Sequence, residues 1–148
     1  MPALTADVHR MHSVHQPQFL PLPMKAGARI YLNAITCTDA NGFAVPGEDA
    51  PGLRAQGVAW KSFDNTDGAD GTLGDTFNGF GAVRFIEVDC QGEWEFTVDG
   101  DPPKPGDNAY IVDDDTVAPA IETSNSILLG KFTRPGSPGK WFVDIERR

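Results

Sequence analysis

The sequence predicts an all-β fold, a compact β-sandwich or β-barrel of short antiparallel strands preceded by an extended N-terminal arm. Three observations carry this. Glycine (16) and proline (12) make up about a fifth of the 148 residues, which leaves little room for long helices. Six to nine short runs of alternating or β-branched residues recur between turn signals. No amphipathic helical stretch competes with them, and the weakest point, residues 48–57, has room for one helical turn at most. At 148 residues and 40% hydrophobic content the chain can bury a core as one domain without disulfides or metals.

The domain division expected is an arm at residues 1–24 and a β domain at 25–148. Pro17, Pro21 and Pro23 favour extended backbone in the arm and exclude a continuous helix. The apolar FLPLPM stretch must pack on something, either its own domain or a neighbouring subunit. From Ala28, ARIYLNAITCTD reads as a strand, Asp39-Ala40-Asn41-Gly42 as a turn and FAVP as its return. AQGVAWKSF (55–63) is the next strand. The glycine- and aspartate-rich stretch 64–81 is a long loop or a pair of tight turns. Residues 83–100 alternate well and read as a hairpin turning at Gln91-Gly92. DPPKPGD (101–107) is a connector, and 109–120 reads as strand, acidic turn and short strand. Residues 126–133 and 140–148 close the chain as two strands, with Trp141, Val143 and Ile145 on one face.

Charge is unevenly divided. The net charge of -9 resolves into +2 over residues 1–38, -14 over 39–122 and +3 over 123–148. An acidic body disfavours direct nucleic-acid binding, whose affinity comes from Lys and Arg displacing counterions. No apolar run is long enough to span a membrane, and the N-terminus lacks an apolar signal core, so the chain is expected to be made and to act without export. Cys37 and Cys90 lie in apolar strand-like runs and read as small buried hydrophobes.

The chemistry-bearing clusters mostly fail their templates. His9, His12 and His15 have helical ligand spacing, but the proline-rich arm denies them a rigid helix, so a solvated or partner-bound arm is expected. Asp64, Asp67, Asp70 and Asp75 sit among glycines, yet Thr66 and Gly68 occupy positions where a calcium loop needs acids. Asp113-Asp114-Asp115 reads as a solvated hairpin tip, with a cation site or a basic partner as the alternatives. Gly130-Lys131 lacks the first glycine and the hydroxyl residue of a phosphate loop, at Asn125 and Phe132. Glu93 and Glu95 share a strand face, but no nucleophile–base pair stands out, and no enzyme is expected. Trp60, Trp94 and Trp141 read as core residues. No cofactor or metal is predicted.

Several segments, taken in order, resemble the capsid decoration or structural cement proteins of tailed phages. They are MPALTAD, AGARIYLNAITCTDANGFAVP (26–46), GVAWKSFDN (57–65), Pro105-Gly106-Asp107 followed by YIVDDDTVA (110–118), and GKF…WFVDI (130–145). The resemblance implies a non-catalytic β domain on the exterior of a bacteriophage head, bound to the major capsid protein and commonly trimeric, with the virion as its location. On this view the arm lies across a capsid subunit or a sister protomer, with Phe19, Leu20, Leu22 and Met24 as apolar contacts. The alternative is a non-catalytic ligand-binding module for carbohydrate or a host surface, whose mark is Trp60 or Phe80 at the surface. A third reading, a carboxylate enzyme, requires two acids in one pocket.

Overall fold

The structure, a computed structural model, describes residues 3–8, 10, 18–71, 85–119 and 123–146. It is all-β, with no helix among the described residues. The strands number twelve there, more than expected, because several are only two or three residues long. They are β1 (Phe19–Pro23), β2 (Arg29–Ile30), β3 (Ile35–Thr38), β4 (Ala44–Pro46), β5 (Arg54–Ala59), β6 (Phe63–Asp64), β7 (Phe85–Asp89), β8 (Gln91–Val98), β9 (Asn108–Ile111), β10 (Thr116–Ala118), β11 (Leu128–Pro135) and β12 (Lys140–Glu146).

Two sheets share the work. The later strands close a five-stranded barrel in the order β10-β8-β12-β11-β9. All its pairings are antiparallel except β8 with β10. The earlier strands form a sheet in the order β1-β7-β5-β3-β4. A parallel bridge from Met24 to Ala44 brings the chain after β1 back beside β4, so this sheet also curls toward closure. Strands β2 and β6 form a small separate ribbon. Curling and closure leave few free edges, which is how small all-β domains avoid edge-to-edge association.

Each sheet has its own core. The barrel is filled by residues such as Trp94, Phe96, Ile111, Phe132, Val143 and Ile145, and Ile35, Cys37 and Val58 join them from the first sheet. Leu22, Met24, Ile30, Ala44, Ile86 and Val88 fill the second cluster. Val143 and Ile145 are buried on one face of β12 as expected, with Trp141 half-buried beside them.

Four expectations are corrected. The run 28–39 is two strands, not one, because Asn33 adopts a left-handed conformation (φ 66°) in the turn between them. Residues 83–100 are not a hairpin: β7 pairs with β1 and β5, whereas β8 pairs with β12 along seven residues. The reason is parity. Ile86, Val88, Cys90, Trp94 and Phe96 are all buried and all even-numbered, so the apolar face continues through Gln91-Gly92. The segment is one bent strand passing from sheet to barrel at Cys90.

The arm boundary at residue 24 also moves. Phe19–Pro23 is a strand of the body, antiparallel to β7 from Phe19↔Asp89 to Pro23↔Phe85. Its prolines are tolerated because β1 is an edge strand, where a missing N–H costs no ladder bond. Finally, Trp60 is neither in a strand nor in the core; it follows β5 and is 39% exposed.

Candidate functional site

Residues 3–8 together with Arg10 form a strap beside the acidic turn between β9 and β10, held by polar pins. The Leu4 N–H donates to Asp114 Oδ1 at 2.8 Å. Asp7 Oδ1 accepts the Leu32 N–H at 2.7 Å, and the Val8 N–H donates to the Leu32 carbonyl at 3.3 Å. Asn33 Nδ2 returns a bond to the Val8 carbonyl at 2.7 Å. The left-handed turn at Asn33 thus presents both its side chain and its carbonyl to the strap.

Arg10 ends the strap in a closed slot, only 6% exposed. Its Nη1 donates to the Glu95 carbonyl at 2.7 Å. Its Nε and Nη2 both donate to the Asn33 carbonyl, at 3.1 and 3.0 Å. Nη2 also meets Asp115 Oδ1 at 3.0 Å, and the guanidinium carbon lies 4.3 Å from the Phe96 ring centroid. Burial pulls the Arg10 guanidinium below its usual pKa, while Asp115, Asp114 and Glu95 oppose the shift. The planar fork matches this set of acceptors, and stacking on Phe96 uses its flat face.

The acidic triplet is therefore not a solvated tip. Asp113 and Asp114 are buried. Asp113 Oδ1 accepts the Asp115 N–H at 2.8 Å, and the Asp114 carbonyl accepts the Ile35 N–H at 2.9 Å, tying the turn to β3. Burial raises the Asp114 carboxyl to about 6, the Leu4 N–H opposes it, and Asp113 and Asp115 add like-charge repulsion. A folded-state pKa above the unfolded value of about 3.9 means that the native state holds the extra proton. This contribution to stability is full below pH 4 and is lost as the pH rises toward 6. Asp114→Asn removes that loss while leaving an oxygen for Leu4. The variant is expected to be more stable than the parent at pH 7 by about 1–2 kcal/mol after solvent screening. The two should converge near pH 4 in thermal melts; equal stabilities at both pH values would contradict the assignment.

Other carboxylates build turns. Asp64 Oδ1 accepts the N–H and hydroxyl of Thr66, and Asp70 Oδ1 accepts the Ala26 N–H. Asp67 is exposed, and Asp75 lies outside the described residues, as do His9, His12 and His15. No group of His, Cys, Asp and Glu among the described residues is arranged to hold a metal ion. Glu93 pairs with Arg134 at 2.7 Å, and the buried Glu95 accepts the Ser137 N–H at 2.8 Å. Cys37 and Cys90 are buried and form no disulfide, the Cys90 thiol donates to the Gln18 carbonyl at 3.1 Å, and burial pushes the Cys37 thiol up to about 12.

The predicted contact residues divide. Met24 and Leu22 are buried in the second core, and Leu20 packs half-buried against it. Phe19 is 44% exposed, and its ring centroid lies 5.2 Å from that of Trp60 at a 45° tilt. Lys61 Nζ sits 4.3 Å from the Trp60 centroid. These two rings are the large hydrophobic side chains exposed among the described residues. Sequence reasoning missed Arg10 and Asn33. An asparagine inside a β-rich run was the one signal available for the turn. Comparison with family models, with curated proteins and with solved structures returns no match.

Proposed function

We propose that this chain is a non-catalytic structural protein of a tailed-phage virion, a decoration or cement protein that binds the outer surface of the head and its major capsid protein as a homotrimer. The observation that carries this reading is the Phe19–Trp60 pair, an exposed aromatic patch beside an edge strand whose prolines block strand addition. The ionisable groups of the strap site are already engaged within the chain, in a structural arrangement rather than a reactive one. The segments that resemble cement proteins overlap β2–β4, β5–β6, β9–β10 and β11–β12, which include strands of both sheets. Aromatic side chains of this kind anchor protein interfaces. The shell contact is therefore assigned to Phe19 and Trp60, with Leu22 and Met24 acting through the core.

The exposure of Trp60 also favours a second reading, a carbohydrate-binding module. A sugar platform needs an open ring face, and Lys61 lies over this one with Phe19 against it. That crowding makes protein contact the better use of the patch. The test is co-sedimentation with heads stripped of this protein. Phe19→Ser combined with Trp60→Ser is expected to lower occupancy about tenfold or more with the fold intact by circular dichroism. Undiminished occupancy removes the patch from the contact, and glycan binding by a chain that ignores heads favours the second reading.

A further inference from the structure

A cleft of about 420 Å³ lies between β5 and the start of β11, lined on one side by Leu53–Gly57 and on the other by Asn125–Leu129, with Ile145 behind. That volume is within the range of about 300–1,000 Å³ typical of binding pockets. Its β5 wall is half of a strand ladder. On one side β5 pairs with β3 from Ile35↔Val58 to Thr38↔Arg54. On the other side β7 pairs with it only at Val58 and Ala59. Arg54, Ala55 and Gln56 thus have no strand partner facing the cleft among the described residues. The opposite wall has the same character. Among the described residues, β12 pairs with β11 only from Lys131 onward, so Leu128 and Leu129 have no β12 partner there. Behind the largely polar walls lie Leu53, Ala55, Ile127, Leu129 and Ile145, which belong to or pack on the barrel core. Arg54 is the single charged residue lining the cleft, and it has no ion pair or side-chain hydrogen bond among the described residues.

We propose that this cleft is a receptor slot for an extended peptide strand that carries a carboxylate side chain. Unpaired main-chain groups of β5 take the strand by augmentation, alternate side chains face the apolar residues behind the walls, and Arg54 pairs with the carboxylate. A carboxylate on the occupant is favoured by charge complementarity, because Arg54 is the one charged residue lining the cleft among the described residues. The contrast with β1 is informative. There the chain blunts its exposed edge with Pro21 and Pro23, whereas Arg54–Gln56 carries no such block. The slot does not depend on the head-binding reading and lies on a different strand edge from Phe19.

A lone cation on an edge also serves in some proteins to repel added strands. The two roles give opposite results. The test titrates the isotopically labelled full chain with a capped heptapeptide of alternating valine and threonine bearing one central glutamate. Amide shifts are expected to saturate and to cluster at residues 53–57 and 125–129. A peptide with proline at alternate positions should not bind, and glutamine in place of glutamate should weaken binding. Arg54→Glu should weaken it about tenfold or more, with the melting temperature unchanged because Arg54 is exposed. Absence of shifts at millimolar peptide, equal binding of the proline peptide, or unchanged or tighter binding by Arg54→Glu would overturn the proposal.

Discussion

Replacing Arg10 with alanine is expected to lower the unfolding free energy by about 2–4 kcal/mol. The guanidinium satisfies the Glu95 and Asn33 carbonyls and pairs with Asp115 while itself almost wholly buried. Removing it leaves those acceptors without donors and one carboxylate without its partner. The loss is bounded above by the docking energy of the strap, because an undocked strap returns the same groups to water. Arg10→Lys should recover less than half of the loss, since an ammonium cannot reach three acceptors in one plane or stack flat on Phe96. Asp115→Asn should cost less, about 1 kcal/mol, because Asp115 is partly exposed and the carbonyl bonds survive. Urea denaturation measures the ranking. Hydrogen exchange at the Leu32 amide, which donates to Asp7, reports whether the strap has left. A stability change below about 0.5 kcal/mol for Arg10→Ala would show that the strap contributes nothing to the folded body.

The slot explains why the fold class was legible and the site was not. Strand-forming residues and turn signals act locally, and so β3, β4, β10 and β12 fall within predicted segments while β9 and β11 overrun theirs by one and two residues. Pairing is a long-range property. The even-numbered run from Ile86 to Phe96 contained the answer to the false hairpin, but Gln91-Gly92 offered a competing turn signal. Pro21 and Pro23 argued correctly against a helix and for extended backbone, and an edge strand is the sheet position that accepts them. The acidic triplet shows the larger limit. Three adjacent carboxylates look solvated because their mutual repulsion is local, while the groups that stabilise them arrive from far along the chain. Arg10 reaches Asp115 across 105 residues, and Leu4 reaches Asp114 across 110. No spacing rule relates positions so far apart. The charge partition did carry a trace of it, for a basic N-terminal region and an acidic middle are the two halves of that contact.

Gly130→Ala is expected to destabilise the chain by about 3 kcal/mol or more. A Cβ at Gly130 would stand 2.1 Å from the Asp144 carbonyl oxygen and 2.9 Å from its carbon. Both are backbone atoms of β12, held by the adjoining Lys131↔Asp144 pair and by the seven-residue ladder to β8. Relief requires β11 and β12 to separate, and that opens the barrel. Position 130 is also where the β11–β9 register shifts, so the neighbouring ladder has little slack. Gly139→Ala is the control. Its φ of 78° disfavours alanine, but the added methyl meets nothing within 4 Å. Backbone strain alone should cost about 1 kcal/mol there. The difference between the two variants in urea denaturation isolates the steric term from the conformational one. Equal losses would mean that β12 yields without cost and that the barrel is looser than its pairing implies. A large difference gives the Gly130-Lys131 pair, which superficially suggests a phosphate loop, its physical reason: two strands cross too closely for any side chain.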